Sequence, residues 1–289
     1  MRGEQEVLEL ILHTARGDER IRAVVLSGSR ANPRARRDVF QDFDVAYFVT
    51  DVDSFTRDDT WIDRFGEIMI LQTPEAMGDP PPASDGRFAY LMQFTDGNRI
   101  DLTLLPVANV GKFKRESLSL LLLDKDGVFE PFPTPDESDF LPKPPDAKAF
   151  SDCCNEFWWV CPYVAKGLWR EEIIYAKHMF DRVVREQLMK MLAWHVGVKT
   201  RFTRGPGKAG KHLRQCLEPE LWAMVEKTYS DAGYENTWDA LFTACDLFRT
   251  AAKVVARHFG FEYPRGDDER VSAHLKHVRF LPKGAEEMY

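Results

Sequence analysis

The chain has 289 residues, of which 44% are hydrophobic, so it can build one large or two modest packed domains and is not globally disordered. Its 46 acidic against 39 basic residues give a net charge of -7, which disfavours a protein that coats nucleic acid. No window approaches the roughly 20 apolar residues that span a bilayer. The first residues are charged, and the five cysteines form no pairing pattern. We therefore expect a cytoplasmic protein that binds no membrane, and we expect it to be a monomer or a weak homodimer.

The first half of the chain alternates helical and strand patterns. An apolar stripe with helical spacing predicts a helix over residues 4–16, and the β-branched run Ile21–Leu26 predicts the first strand. Phe43–Thr50 has apolar side chains in both phases, which is typical of a strand buried on both faces. Glu67–Gln72 predicts a third strand.

A β-hairpin is predicted next. The turn Asp96-Gly97-Asn98 separates the strand patterns Arg87–Thr95 and Arg99–Leu105, and its Asp-Gly pair tolerates the positive φ angles of a tight turn. Loops rich in proline and charged residues are predicted at 32–38 and 79–85. The first half should therefore be a mixed sheet flanked by helices.

A proline-rich linker and a helical half follow. Six prolines between residues 130 and 145 exclude a continuous helix there. The later patterns predict helices, without a convincing strand, over 149–168, 170–196, 218–230 and 236–259, and a polar, draped or mobile tail after Tyr263-Pro264. The predicted class is α+β, with a sheet domain over 1–145 and a helical bundle domain with a polar tail over 146–289.

Two aspartates at the start of a predicted strand suggest a metal site. Asp42 and Asp44 are two residues apart, so their side chains lie on the same face of the strand. Carboxylates that close repel each other unless a cation lies between them. Hard oxygen ligands suit Mg²⁺, which also binds substrate phosphates.

A third acid belongs to the predicted hairpin. Asp101 alternates with Ile100 and Leu102, so it faces away from the apolar side of its strand. If that strand lies beside Phe43–Thr50, three carboxylates converge, enough to hold a metal ion and to accept a proton from a hydroxyl. Taken singly, an Asp-x-Asp pair or a polar hairpin residue is more often ordinary surface.

A glycine-serine turn follows the first predicted strand. Gly28 lets the backbone approach a phosphate, Ser29 adds a hydroxyl donor, and we predict that Arg30, which follows directly, contacts the terminal phosphates. The order of strand, Gly-Ser turn, Asp-x-Asp and a later acid makes a coincidental pattern improbable.

These segments carry a family resemblance. The chain resembles the aminoglycoside 6-adenylyltransferases, or streptomycin adenylyltransferases, of the polymerase-β-like nucleotidyltransferase superfamily. The similarity runs over residues 4–265 and is strongest in Leu26–Pro33, Phe40–Val45, Asn98–Leu104, Glu156–Val160, Tyr163–Arg170 and Tyr175–Lys177. The Gly-Ser and Asp-x-Asp signature marks the superfamily, and the longer strings with the tryptophan-rich helix point to the family.

The resemblance implies a reaction and roles. AMP would pass from ATP to the 6-hydroxyl of streptomycin, with release of pyrophosphate, and would confer antibiotic resistance. Asp42 and Asp44 would bind Mg²⁺, and Asp101 would be the general base, a further metal ligand, or both. ATP would lie on Gly28 and Ser29 with Arg30, and the helical domain would close the cleft.

One face of the first helix in the second half has an unusual composition. Its residues recur three and four apart and combine an acid, two aromatic rings and two bases, namely Glu156, Trp159, Tyr163, Lys166 and Arg170. Buried charge must be paired, so these residues suit a cleft wall better than a core. We predict acceptor binding by Glu156, Trp159 and Tyr163, and nucleotide binding by Lys166 or, as a second choice, Lys177. The alternative is an ordinary interface helix with internal ion pairs.

Two other functions stay open from the sequence. The same chemistry could act on a different small molecule or on a protein side chain. A catalytically inactive nucleotide-binding module is also possible in principle, although all three carboxylates are present.

Overall fold

The structure, a computed structural model, describes residues 1–79, 81 and 85–289. Its internal contacts divide the chain into two compact units, Met1–Asp139 and Phe140–Tyr289. The first unit combines a sheet with helices and the second is helical, which confirms the predicted α+β class. Most of the predicted loop 79–85 lies outside the described residues. Within the described part of the chain, no helix has the length and apolar character needed to cross a bilayer.

The sheet unit begins with an amphipathic helix, as predicted. Its helices are α1 (Glu4–Gly17) and the short α2 (Asp53–Thr56). Its strands are β1 (Ile21–Ser27), β2 (Phe43–Val49), β3 (Ile68–Gln72), β4 (Phe88–Phe94), β5 (Arg99–Pro106) and β6 (Ser119–Asp124). Strand β6 was not predicted, because its continuous apolar run has no alternation to mark it as a strand.

The strands form one mixed sheet in the order β3-β4-β5-β2-β1-β6. Four neighbouring pairs are antiparallel, and β2 and β5 are parallel. The hairpin β4–β5 has Gly97 in its turn at φ +88°. The second hairpin strand therefore lies beside β2, as the convergence of the three acids requires, and Asp44 stands opposite Asp101 in register.

The two faces of the sheet are covered differently. Odd-numbered residues of β2, such as Val45 and Tyr47, pack with α1 in the larger apolar core. On the opposite face, Phe48 belongs to a smaller cluster with Ala23 and Val25. Since side chains alternate along a strand, Asp44 shares the face of Phe48. That face is apolar at one end of β2 and acidic at the other.

The helical unit is built around one apolar core to which most of its helices contribute. Its helices are α3 (Ala147–Trp169), α4 (Ile173–His178), α5 (Arg185–Thr200), α6 (Leu213–Cys216), α7 (Pro219–Lys227), α8 (Tyr234–Phe259) and α9 (Arg265–Phe280). The single helix predicted over 170–196 is in fact α4 and α5 joined by a π-helical turn, Met179–Val184. Glu171, in the left-handed region at φ 61°, separates them from α3.

The prediction of a draped or mobile tail after Pro264 was wrong, because α9 occupies most of it. Few of its residues are apolar, but Val271, Leu275 and Val278 recur four and three apart and pack in the core of the unit. Asp268 adds a second anchor: this carboxylate is buried and accepts two hydrogen bonds of 2.6 Å from Arg249 on α8 and one of 2.8 Å from Tyr263. The helix is held by this ion pair together with its buried apolar side chains, and the partner of Asp268 cannot be read from local periodicity.

Candidate active site

Three aspartates converge at one end of the β2–β5 pair. One carboxylate oxygen each from Asp42, Asp44 and Asp101 lies within 4.8 Å of the other two, and all three residues are half-buried. Asp42 and Asp44 share a face because they are two residues apart, and the parallel register adds Asp101. The predicted convergence is confirmed.

The donor set suits a hard divalent cation. All three groups are carboxylates, and Mg²⁺ and Ca²⁺ prefer oxygen ligands. Ligands about 2.1 Å from Mg²⁺ lie at most about 4.2 Å apart, so small side-chain rotations would bring an oxygen of each acid onto one ion. The cluster therefore fits such an ion, with positions left for water and phosphate.

Gly28 lies against the acidic cluster. It opens a 3₁₀ turn, Gly28–Arg30, with φ +75°, and its N–H donates to the carbonyl of Leu118 at 3.0 Å. A Cβ at this position would lie 2.2 Å from Oδ2 of Asp44. Only glycine fits here, both for its backbone angle and because the backbone must pass close to the carboxylate. Ser29 follows it, half-buried.

The side chain of Arg30 is buried and occupied by contacts within the sheet unit. Its side chain is only 8% exposed, and its guanidinium donates to the carbonyls of Asp42 at 3.0 Å and Gln41 at 2.6 Å. It also pairs with Glu4 at 3.1 Å and lies 3.7 Å from the ring centre of Phe43. Burial lowers the pKa of Arg30. These contacts fix the backbone that carries Asp42, so the predicted phosphate contact stays a prediction that this placement does not favour.

Arg99 is a residue of the site that the sequence analysis missed. Its Nε and one Nη donate to the two oxygens of Asp101, each at 2.8 Å. These hydrogen bonds raise the pKa of Arg99, and Asp42 and Asp44 add to the effect. The available signal was spacing, because residues two apart on a strand share a face and Arg99 is two residues before Asp101.

The charged and aromatic stripe of α3 lies on its surface, not in the core. Trp159 is 62% exposed, Glu156 and Lys166 are exposed, and Tyr163 is half-buried. The rings of Trp159 and Tyr163 meet edge to face at 6.4 Å, and Nζ of Lys166 lies 5.1 Å from the centre of the Tyr163 ring. The helix thus presents a continuous polar and aromatic surface, and its predicted binding roles stay predictions.

Lys177 is engaged within the helical unit. Its Nζ forms an ion pair with Asp181 at 3.1 Å and donates to the carbonyl of Ser230 at 3.2 Å. Arg185 contacts the same Asp181 at 3.0 Å. Lys177 therefore helps to hold the π-helical turn, and its predicted nucleotide contact, already the second choice after Lys166, gains no support from these contacts.

A family profile and two similar proteins agree on one family. The profile of a family described as streptomycin adenylyltransferase matches residues 1–278. An aminoglycoside 6-adenylyltransferase of Bacillus subtilis (strain 168) is 41% identical over 270 residues, which are 93% of this chain and 95% of that protein. One of Campylobacter jejuni is 43% identical over 270 residues, or 93% of each chain. A crystal structure of an aminoglycoside 6-adenyltransferase from Bacillus subtilis is 37% identical and covers 97% of this chain and 100% of its own, with a TM-score of 0.48.

Proposed function

Because the chain belongs to the streptomycin adenylyltransferase family, we propose that it transfers AMP from ATP to the 6-hydroxyl of streptomycin and so confers resistance to that antibiotic. The family resemblance predicted from the sequence is confirmed, and the chain is a nucleotidyltransferase. The observation that carries the proposal is the convergence of Asp42, Asp44 and Asp101 beside Gly28. ATP as the donor, Mg²⁺ as the cation and streptomycin as the acceptor are the finer parts of the proposal.

The three carboxylates are the residues that would hold the cation. Asp42 and Asp44 would bind Mg²⁺, with Asp101 as the third acid, and the ion would neutralise charge on the α-phosphate and on the departing pyrophosphate. The Arg30 guanidinium keeps the backbone of Asp42 in place, so this ligand is positioned before substrate arrives. Preorganisation of this kind supplies much of the catalysis in phosphoryl transfer.

The transfer step needs one bond to form and one to break. The acceptor hydroxyl oxygen attacks the α-phosphorus, and the bond from that phosphorus to the bridging oxygen of the β-phosphate breaks, so pyrophosphate leaves. Asp101 takes the hydroxyl proton, since a general base must lie within hydrogen-bond reach of the proton it removes. The Gly28 turn admits the phosphates close to the backbone, and the Ser29 hydroxyl adds a donor.

The acceptor is assigned to the stripe of α3. Streptomycin is cationic, and Glu156 offers a carboxylate to a guanidinium while the Trp159 ring offers a face to a flat cation. Both side chains are exposed, so both are open to a ligand. The net charge of -7 also favours a polycation.

The direct test is mass spectrometry of streptomycin after incubation with the protein, ATP and Mg²⁺. The expected product is streptomycin carrying one added AMP. Asp44→Asn should reduce the rate of its formation by at least about 10²-fold, because one ligand and one charge of the cluster are lost, while circular dichroism shows an intact fold. Asp53→Asn, which changes an exposed aspartate at the start of α2, is the matched control and should keep the wild-type rate.

Other outcomes of the same assay separate the alternatives. If streptomycin is unchanged but pyrophosphate is released with another hydroxylated acceptor from a panel, the chemistry stands and the acceptor is wrong. If ATP binds tightly and no acceptor of the panel is modified, the inactive module is favoured. A folded Asp44→Asn protein with normal turnover would reject the assignment of the site.

A further inference from the structure

Arg99 places a fixed positive charge inside the acidic cluster. Its guanidinium contacts both oxygens of Asp101 at 2.8 Å, the two-pronged geometry in which arginine and carboxylate fit best. The Asp101 side chain is 18% exposed and that of Arg99 is 46% exposed. The pair is therefore shielded on the Asp101 side and open to solvent on the Arg99 side.

The pair uses the oxygens that a divalent cation would use. An Asp101 oxygen is one of the three carboxylate oxygens that lie within 4.8 Å of one another. Both oxygens of Asp101 already accept a hydrogen bond from Arg99. A cation that takes one of them stands next to a guanidinium nitrogen, and like charges a few ångströms apart repel even near a protein surface. Arg99 and the cation thus oppose each other at Asp101, although the carboxylate has lone pairs for both.

A nucleotide changes this balance. The planar guanidinium fork pairs with phosphate as well as with carboxylate, and the exposed half of Arg99 leaves it room to change partner. A polyphosphate adds several negative charges at the acidic end of the β2–β5 face. Binding of the phosphates would draw Arg99 away from Asp101 and free both oxygens.

We propose that Arg99 is a positioning residue that holds Asp101, competes with the divalent cation for it, and releases it when a nucleotide phosphate takes its place. The inference rests on the proposed function, since it assumes that the cluster binds a cation and that phosphates arrive beside it. Its consequence is an order of events: the cation is held weakly by the protein alone and fully only together with the nucleotide. Asp101 becomes available to the reaction at that point.

The test measures Mn²⁺ binding to the full chain without nucleotide, from the electron paramagnetic resonance signal of free Mn²⁺. Arg99→Gln removes the competing charge, so it should bind Mn²⁺ about tenfold more tightly than the wild type. With a non-hydrolysable ATP analogue present, the difference should fall below about twofold, because the phosphates have already displaced Arg99 in the wild type.

The chain offers a matched control. Arg87 also pairs with an aspartate two residues away, through hydrogen bonds of 2.9 and 2.8 Å from its Nε to the two oxygens of Asp85. This pair lies outside the acidic cluster, so Arg87→Gln should leave the Mn²⁺ affinity unchanged. The Arg87→Gln variant therefore distinguishes the general effect of losing one surface arginine from the specific effect of losing the arginine that contacts Asp101.

Each result decides something. Unchanged or weaker Mn²⁺ binding by Arg99→Gln would overturn the inference, because a residue that only orients Asp101 for the metal gives that outcome. If Arg99→Gln does not fold, Arg99→Lys keeps the charge, loses the two-pronged grip and should bind about threefold more tightly; no change there overturns the inference as well. If the wild type binds Mn²⁺ and Asp44→Asn does not, the proposed metal centre stands, whatever the Arg99 variants show. If neither the wild type nor Arg99→Gln binds Mn²⁺, with or without the ATP analogue, both the inference and the proposed metal centre are rejected.

Discussion

The acidic end of the β2–β5 pair and the exposed stripe of α3 are built in opposite ways. Asp44 and Asp101 come from two strands far apart in the chain, and Asp42 directly precedes the first of them. Buried contacts hold two of the acids: Gly28 packs against the Asp44 side chain, and Arg30 donates to the carbonyl of Asp42. The stripe comes from one helix, and its side chains reach solvent. The first region needs the whole sheet to form, whereas the second needs only one helix.

The difference indicates what each region can do. Groups that stabilise a transition state must be held before the substrate arrives, and the half-buried acids meet that condition. A surface that recognises a ligand can adjust its side chains when the ligand binds, and the exposed aromatic and charged side chains of the stripe are free to do so. Changes at the acids should therefore act on kcat, and changes at the stripe should act on the KM of the acceptor.

The largest effect that tests this comparison is expected from Gly28→Ala. The new Cβ would lie 2.2 Å from Oδ2 of Asp44, so the carboxylate must move away from its partners. We expect kcat to fall by about 10²-fold, together with a loss of about 1–2 kcal/mol in the free energy of unfolding from the positive φ angle. Steady-state kinetics measures the fall in kcat, and urea denaturation measures the change in the free energy of unfolding.

Gly127 supplies the control for that variant. It also has a positive φ, of 64°, but a Cβ there would meet nothing within 4 Å. Gly127→Ala should therefore cost a similar free energy of unfolding and leave kcat unchanged. Equal kcat losses in both variants would show that backbone strain, and not contact with Asp44, causes the effect.

A smaller effect is expected from Trp159→Ala. The ring is 62% exposed, so its removal should change stability little, but the face that we assign to the cationic acceptor is lost. The KM for streptomycin should rise about five- to tenfold, and the KM for ATP should stay the same. Trp159→Phe should restore most of the affinity, and Ile174→Ala, at a position 82% exposed on the same unit, should change neither constant. An unchanged KM in Trp159→Ala would favour the ordinary interface helix.

In the helical unit, the buried carboxylate of Asp268 should affect stability and not catalysis. Burial alone would raise the pKa of Asp268, but hydrogen bonds from Arg249 and Tyr263 outweigh it and keep that pKa below its ordinary value. The charged form therefore stabilises the fold above the usual carboxyl pKa of about 3.9, and this contribution is lost as the pH falls through the lower folded value. Asp268→Asn should lose about 3 kcal/mol of unfolding free energy at pH 7.

The pH dependence of that loss is the checkable part. Thermal unfolding of the wild type and of Asp268→Asn should differ most near neutral pH, and the two should converge as the pH is lowered below about 4. A difference that stays constant down to pH 3 would mean that packing of the side chain, and not its charge, holds α9 in place.

Local patterns along the chain predicted the class of fold, most of the strands and the acids of the site. Side-chain alternation marked Asp42 and Asp44 as neighbours, and the Asp-Gly turn marked the hairpin that bears Asp101, because period and turn chemistry are local properties. The family resemblance added what local patterns cannot give, namely the expected reaction.

Contacts between distant residues set which elements become neighbours and which partner each charged side chain takes. Only the parallel pairing of β2 with β5 brings Asp101 to Asp44. Arg99 lies two residues before Asp101 in sequence and pairs with it, whereas Arg30, 12 residues before Asp42, is buried and donates to the Asp42 carbonyl. The helix α9 packs Leu275 and Val278 in the core and pairs Asp268 with Arg249, which lies on another helix. These choices depend on burial and on contacts between distant residues, so local patterns could not supply them.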